Sequence, residues 1–371
     1  MSKLKVLQVN KLYYPWTGGI EKVVQQIAEG LKDKIDMEVL VCREKGRTIV
    51  EKVNGITVYR AGSMGMFSSM PVSMSFIKYL RQLSKEKDVL HFHMPFPLGD
   101  LAYLLSGYKG KVVVWWHSDI VRQKKLMKLY RPIMEKFLNR ADVIIVATPG
   151  HIEGSDYLRK YRSKCAIIPY GVDKKIEEKS DRYIEQIRPS QNISRPLKIL
   201  FVGRLVYYKG CEILLKAFKE VDNAELTIIG DGELKAKLEE DARKYDLTKK
   251  IHFLGNVEEE RLNQAFEDCD VFVLPSIAKS EAFGLVQIEA MAYGKPVINT
   301  NLPSGVPYVS LDRVTGLTVP PNDVQALADA MRWMVENNKD RIEMGKKARE
   351  RVKEFYRMDD MLNRVLEIYK K

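Results

Sequence analysis

Pro275-Ser-Ile-Ala-Lys-Ser-Glu-Ala-Phe-Gly-Leu-Val-Gln-Ile-Glu-Ala-Met-Ala-Tyr-Gly-Lys-Pro296 is the stretch whose reading decides the fold. It leaves a short apolar strand, Val271 to Leu274, and crosses a loop that carries Glu281. It then enters a helix expected from Phe283 to Tyr293, with Gly294 as its stop and Pro296 just beyond. Glu289 lies eight positions after Glu281. If most of that interval is helical, the rise per residue sets the two carboxylates about 12 Å apart. The acid/base pair of a glycosidase is closer, about 5 to 9.5 Å, so this spacing suits the two ends of one extended ligand. The backbone N–H groups of Ala282 to Val286 stand where a helix start leaves donors unpaired, and they can serve a polar ligand. An ordinary surface helix with acids near its N-terminus shows the same spacing, so the rest of the chain has to decide.

Outward from this stretch, strand-like runs alternate with helical periodicity. Before it come Lys5 to Asn10, Met37 to Cys42, Ile56 to Tyr59, Val89 to His93, Val112 to Trp116, Val143 to Ala147 and Cys165 to Pro169. Residues 174–196 are polar and end in Pro-Ser and Arg-Pro, which reads as a linker. The pattern then restarts with Leu197 to Gly203, Glu225 to Gly230, Ile251 to Leu254, Val271 to Leu274 and Pro296 to Thr300. Such alternation is the pattern of parallel sheets covered on both faces. The expected fold is therefore α/β, with two Rossmann-like, doubly wound domains facing each other across a cleft. The boundaries are expected at 1–185 and 186–354. A closing helix over 355–371, with Phe355, Met358, Leu362, Val365 and Tyr369 at helical spacing, is expected to pack back on the first domain.

The 371 residues exceed the size at which one hydrophobic core stops growing, in keeping with two domains. No apolar run approaches the roughly 20 residues needed to cross a bilayer, and no signal-peptide core develops, so a cytoplasmic protein is expected. Cys42, Cys165, Cys211 and Cys269 are widely separated and have no metal spacing, so they read as reduced structural thiols. The net charge of +12 is unevenly placed: residues 1–190 hold 33 Lys+Arg against 20 Asp+Glu, and the remainder 28 against 29. A basic first half attracts phosphates, whether of nucleic acid, anionic lipid or a pyrophosphate-bearing molecule.

Ligands of doubly wound folds bind where strands end, so the loops after the strands are the places to look. Gly18 and Gly19 follow the first strand and open a helix, which lets backbone approach a phosphate closely. They do not form the dinucleotide fingerprint. Arg204 and Lys209 lie in the corresponding loop of the second half, a planar fork and a mobile point charge suited to a diphosphate. His117 ends a first-half strand and is a further candidate. His91 and His93 share a strand face and read as core or sheet surface, and zinc is not expected because no third ligand accompanies them. Asp268 and Asp270 form an Asp-x-Asp, but it precedes the Val271 strand and so points away from the carboxyl ends.

In combination these motifs resemble a glycosyltransferase of family 4, a retaining family with the GT-B fold. The resemblance spans nearly the whole chain and rests on Gly18-Gly19, His117, Pro169-Tyr170-Gly171-Val172-Asp173, Gly203-Arg204 through Lys209-Gly210, and Glu281 to Glu289. It implies that Glu281 and the backbone of Ala282, Phe283, Gly284 and Leu285 hold donor-sugar hydroxyls, and that Glu289 accepts from the nucleotide ribose. Arg204 and Lys209 would neutralise the leaving diphosphate with help from Gly18 and Gly19, His117 would lie beside the reacting sugar, and Asn256 and Val257 would border the base. No metal or other cofactor is implied. Tyr170 stands where the family more often has Asn, and Ala282 where it often has Gly. Asn299 to Pro307 replaces a Gly-Gly-x-x-Glu turn in a manner similar to mannosyl- and rhamnosyltransferase-like members.

The expected activity is transfer of a hexosyl group, mannose-type, from a GDP- or UDP-linked donor to a glycan or lipid-linked acceptor in cell-surface polysaccharide assembly. Two stretches of the basic half, Arg122 to Arg131 and the Met64, Met66, Phe67, Met70 and Met74 segment, combine charge or apolar surface in a way that suits peripheral contact with an anionic membrane. A sugar-nucleotide epimerase on the same architecture is the main alternative. A nucleic-acid-binding protein is a lesser one, because it leaves Glu281, Glu289 and the neutral second half without a role, and no nucleic-acid partner is expected.

Overall fold

A computed structural model describes residues 3–16, 18–67, 70–120, 124–186 and 195–371, with the side chains of 124–126 excepted. The chain divides into two compact units. Met1–Ala147, Ser155–Pro169 and Asp359–Lys371 form the first; Thr148–Gly154 and Tyr170–Met358 form the second.

The first unit is built on strands β1 (Lys5–Val9), β2 (Asp36–Cys42), β3 (Ile49–Val53), β4 (Ile56–Ala61), a short pair β5 (Met66–Phe67) and β6 (Met70–Pro71), β7 (Val89–Met94), β8 (Lys111–Trp116), β9 (Val143–Val146) and β10 (Cys165–Ile167). Its main sheet has the order β10-β9-β8-β7-β1-β2-β4-β3. Every pairing is parallel except β3 with β4. Burial explains why the central strands were readable: all six residues of β7 are buried, as a strand covered on both faces requires. β3 was not anticipated. It is an exposed edge joined to β4 through Asn54 and Gly55, both with positive φ, which is the hairpin signature of that dipeptide.

The second unit carries β11 (Leu197–Val202), β12 (Ala224–Ile229), β13 (Ile251–Gly255), β14 (Val271–Val273), β15 (Val297–Thr300) and β16 (Gly316–Val319), in the order β13-β12-β11-β14-β15-β16 and all parallel. Phe201, Leu214, Phe218, Leu226, Ile228 and Met331 are fully buried in its core.

Two expectations need correction. The stretch expected to be a linker begins with a helix, Lys174–Gln186, and the second unit takes in Thr148–Gly154 and the chain from Tyr170 onward, where a start at 186 was expected. This helix buries Ile176 and Ser180 and is tied into the second unit: Tyr183 donates to the Glu267 carbonyl at 2.6 Å, and Asp181 pairs with Arg349 at 2.5 Å. Residues 187–194 of the same stretch lie outside the described residues. The closing helix is Met358–Lys370, and Phe355 ends the preceding helix with its side chain exposed. Asp359–Lys371 belongs to the first unit, where the Tyr369 hydroxyl lies 2.6 Å from His91 Nδ1 and Arg364 donates to the Ile167 carbonyl at 2.5 Å.

All four cysteines are free thiols. Burial pushes Cys42, Cys211 and Cys269 up to about 12 and Cys165 up to about 11, so none is a thiolate near neutrality.

Candidate active site

In the second unit, chain order runs outward from β11 through β12 to β13 and from β14 through β15 to β16. The neighbours β11 and β14 therefore mark the reversal at which open α/β sheets place ligands, outside the strands' carboxyl ends. The loops that leave these two strands carry Arg204, Lys209, Ser276 and Glu281.

Lys209 Nζ lies 2.5 Å from Glu281 Oε2, with the two side chains only 12% and 10% exposed. Ser276 Oγ donates to the same carboxylate oxygen at 3.2 Å, and the Ser276 carbonyl accepts from Thr300 Oγ1 at 2.6 Å. Burial alone would lower the lysine's pKa, but the Glu281 charge, Tyr208 and the hydrogen bond to Glu281 outweigh it and hold the group above its ordinary value. Lys209 is thus an ammonium at neutral pH, poised over the Tyr208 ring at 5.8 Å. Arg204 is exposed and donates to the Tyr208 hydroxyl at 2.9 Å.

The backbone explains how these residues meet. Gly210 adopts φ +70°, and a Cβ there would lie 1.9 Å from the Pro275 carbonyl oxygen. Only glycine allows that approach, and the Ile277 N–H then donates to the Tyr208 carbonyl at 2.8 Å, pinning one loop to the other.

The helix begins two residues later than expected, at Leu285, and runs to Ala292. Gly284 precedes it at φ 75°, ψ 67°, a left-handed conformation that stops the helix from extending back through Phe283. The separation estimated for Glu281 and Glu289 assumed helix over most of the interval, and that premise does not hold. Glu289 is on the helix and Glu281 on the loop, both buried at 8% exposure. The first helical N–H groups, at Leu285 and Val286, have no acceptor within their own helix. Gln287 secures the helix from within. Its Nε2 donates to the Phe283 carbonyl at 2.8 Å, and its Oε1 accepts from Asn299 at 2.9 Å, while Asn299 accepts from Thr318 at 2.8 Å.

Phe283 is 3% exposed, and its ring stands edge-on to Tyr170 at 4.8 Å and to Tyr356 at 6.0 Å. Its side chain belongs to the core, so only its backbone is placed for ligand contact. The Ala282 carbonyl accepts from the Gly305 N–H at 2.7 Å, which docks the 301–305 turn on the Glu281 loop. Asn256 is exposed and Val257 half-buried, after the edge strand β13 on the same carboxyl edge of the sheet. Asp270 is held at the opposite, amino edge: it receives Arg195 at 2.7 and 3.0 Å and the Lys198 N–H at 2.9 Å. Among the described residues no group of three His, Cys, Asp or Glu side chains could hold a metal ion.

In the first unit, Gly18 caps the helix Gly19–Leu31 in extended conformation, after β1. His117 follows β8, is 5% exposed, and places Nε2 2.9 Å from His93 Nδ1. His93 in turn places Nε2 2.7 Å from Gln8 Oε1. Sequence reading left His93 as core or sheet surface; it is buried at 1% exposure, and Gln8 and the chain of hydrogen bonds were missed. The strand order β8-β7-β1 that creates it is not written in either residue's neighbours.

These features match those of known proteins. Residues 17–175 match the sequence profile described as Glycosyltransferase Family 4, and residues 183–351 match that described as Glycosyl transferases group 1. The chain is 38% identical to D-rhamnosyltransferase WbpZ of Pseudomonas aeruginosa, over 95% of this chain and 92% of that protein. The chain belongs to glycosyltransferase family 4. This glycosyltransferase is also 32% identical to O-antigen chain mannosyltransferase C of Escherichia coli, over 99% of this chain and 98% of that one. Among solved structures it resembles sucrose-phosphate synthase from Thermosynechococcus elongatus (TM-score 0.79, 21% identity, 99% of this chain and 98% of that one). It also resembles Anabaena HepE in complex with UDP (TM-score 0.78, 18% identity, 99% and 100%). The fold is GT-B, and the glycosyltransferase departs from its family's pattern at Tyr170 and Ala282 in places where the contacts above are a ring packed on Phe283 and a backbone carbonyl.

Proposed function

We propose that this glycosyltransferase moves a mannose-type hexosyl group from a GDP- or UDP-linked nucleoside diphosphate donor to a glycan or lipid-linked acceptor of a cell-surface polysaccharide. The observation that carries the reading is the buried Lys209–Glu281 pair at the β11/β14 reversal, a cation and an acceptor-only group side by side at the ligand-binding edge. Two relatives named as rhamnosyl- and mannosyltransferases support the sugar class.

In this reading Glu281 accepts from sugar hydroxyls and Glu289 from the ribose, while the backbone from Ala282 to Leu285 contributes N–H donors. When the bond from the anomeric carbon to the diphosphate breaks, negative charge grows on the leaving group. Lys209, Arg204 and the helix N-terminal N–H groups stabilise it, as preorganised donors aimed at developing charge do. The acceptor hydroxyl attacks on the face the diphosphate leaves, its proton passes to the departing phosphate oxygen, and configuration is retained. With cationic side chains carrying the leaving group, no metal is needed. Asn256 and Val257 border the base, and in the first unit, taken by itself, Gly18, Gly19 and His117 are the strand-end residues assigned to substrate contact.

The reading extends to a membrane surface. Met64, Phe67 and Met74 of the basic half are 73%, 70% and 74% exposed, apolar side chains of the kind that interfacial proteins insert. In the second basic stretch Leu129 is 78% exposed, and Arg131 pairs with Glu135 at 2.8 Å. Residues 122 and 123 of that stretch lie outside the described residues, as do the side chains of 124–126. No helix among the described residues is long and apolar enough to cross a bilayer. Relatives named as transferases lend nothing to the epimerase or nucleic-acid readings.

The test is thermal stabilisation by GDP- and UDP-sugars in the presence of a chelator, followed by product analysis with an acceptor. One GDP- or UDP-sugar should stabilise the protein and Glu289→Ala should abolish the shift. If no nucleoside diphosphate stabilises it, the donor site is misassigned. Co-sedimentation with anionic vesicles, sensitive to salt and lost in Phe67→Ser, tests the membrane contact.

A further inference from the structure

Glycines let a turn and a short helix of the second unit meet backbone to backbone. The turn 301–305 runs into the helix Val306–Val309, and its partner is the helix Pro149–Glu153, which follows β9 in sequence but belongs to the second unit. A Cβ on Gly150 would lie 2.3 Å from the Ser304 carbonyl oxygen, and one on Gly154 would lie 2.0 Å from that of Pro303. A Cβ on Gly305 would lie 2.6 Å from His151 Cε1, 2.8 Å from Thr148 Oγ1 and 2.6 Å from the Ala282 carbonyl oxygen. Any side chain at these positions would force the backbones apart. Thr148 Oγ1 and His151 Nδ1 are 2.9 Å apart, which fixes the ring on its own segment, and the Tyr308 hydroxyl donates to Glu153 at 2.6 Å.

The Gly305 N–H donates to the Ala282 carbonyl at 2.7 Å, on the loop that carries Glu281. A trans peptide is planar, with its C=O and N–H antiparallel. The bond that draws the Ala282 carbonyl to Gly305 therefore aims the Phe283 N–H the opposite way, away from the turn. That N–H has no acceptor among the described residues, although Phe283 is 3% exposed. Buried backbone donors are rarely left unpaired, and this one lies two positions after Glu281 in the loop assigned to the donor sugar.

We propose that Gly305, braced by His151, Gly150 and Gly154, is a positioning residue that aims the Phe283 N–H at the donor sugar, so that segment 148–154 governs recognition of the sugar and not of the nucleotide. The proposal rests on reading the Glu281 loop as the sugar site. A peptide released from Gly305 can turn its carbonyl, an acceptor, towards a sugar hydroxyl that Glu281 already serves as acceptor, and the donor is then lost. In the same reading the diphosphate meets Lys209 and the ribose meets Glu289, which lie on other elements.

The experiment is calorimetric titration of the full chain, as wild type, Gly305→Ala and His151→Ala, with GDP, GDP-mannose, UDP and UDP-glucose, with Tm measured alongside. In Gly305→Ala the added Cβ pushes the turn off the Ala282 carbonyl. Whichever nucleotide sugar wild type binds should then bind about tenfold more weakly, the scale of one lost hydrogen bond, while its nucleoside diphosphate alone keeps the wild-type Kd. His151→Ala removes the brace without adding bulk and should weaken the same nucleotide sugar about threefold, again with the diphosphate unchanged. It carries the test if Gly305→Ala does not fold. A merely structural role would lower Tm and leave the ratio of the two dissociation constants at its wild-type value, and that result overturns the proposal. So does an equal loss of nucleotide sugar and diphosphate. If wild type binds none of the four, the donor-site reading has failed and the proposal with it. Failure of the proposal alone looks different, because wild type then binds a nucleotide sugar and both substitutions leave that binding unchanged.

Discussion

Glu281→Gln separates the two jobs of the Lys209–Glu281 pair. The substitution keeps the shape of the side chain and an oxygen to receive the Ser276 hydroxyl, but removes the negative charge 2.5 Å from the Lys209 ammonium. Both side chains are about nine-tenths buried, so the lysine is left without its counter-charge in a site where water compensates poorly. Because glutamine still accepts a hydrogen bond, the expected cost is about 2 kcal/mol, within the range for a buried polar group that loses a partner. For a domain of this size that is a fall in Tm of roughly 4–8 °C. In wild type Lys209 is held above its ordinary pKa, so its contribution is fully present below about pH 10.4 and is lost only as pH rises through the folded-state pKa. The Tm deficit should therefore be flat from pH 6 to 9. A diphosphate competes with Glu281 for the ammonium, so nucleoside diphosphate without sugar should bind Glu281→Gln at least as tightly as wild type and should recover much of the lost Tm. Transfer should fall by about 100-fold, since the sugar hydroxyls lose a charged acceptor. Calorimetric unfolding with and without GDP, together with kcat, reads all three quantities. Wild-type Tm combined with weakened diphosphate binding would refute the assignment of Lys209 to the leaving group.

Other expectations follow from single contacts. Gly210→Ala places a Cβ against the Pro275 carbonyl and should cost at least about 2 kcal/mol while abolishing donor binding, read by thermal melts and titration. Phe283→Ala should lower stability by about 3 kcal/mol, yet donor KM measured on the folded fraction should stay near wild type, because the ring packs on Tyr170 and Tyr356. Asp100 is fully buried and accepts from the Tyr130 hydroxyl, and burial raises its pKa well above the usual carboxylate range. With the folded pKa raised, stability is greatest below the unfolded value and falls as pH rises towards the folded one. Asp100→Asn, which keeps an acceptor for Tyr130, should raise Tm at pH 8 and have little effect at pH 4.

The parallel sheets were legible in the sequence because their central strands are buried on both faces and read as unbroken apolar runs, as β7 and β14 do. What escaped the reading depends on long-range contact. Helix Lys174–Gln186 looks like a linker because its charged face dominates composition, and its few inward residues acquire meaning only once Tyr183 meets Glu267 and Lys295. The helix start at Leu285 depends on the backbone conformation of Gly284, which the letter G permits but does not dictate. Asn54-Gly55 was an available hairpin signal for β3, passed over because the flanking strand is exposed and charged. In the proposed donor site, Lys209 and Glu281 lie in loops after strands, where the sequence reading looked, and Glu289 lies in the helix that follows. Ser276, Gln287 and Asn299 were not, because each acts through a partner 5 to 19 positions away.

The measurement that bears most directly on the donor site is titration of wild type, Lys209→Ala and Glu289→Ala with GDP, UDP and their mannose- and glucose-linked sugars in excess chelator. Binding of one of these GDP- or UDP-sugars by wild type, weakened at least about tenfold by each substitution, is the expected result. Binding that requires a divalent ion, or that survives both substitutions unchanged, would contradict the account.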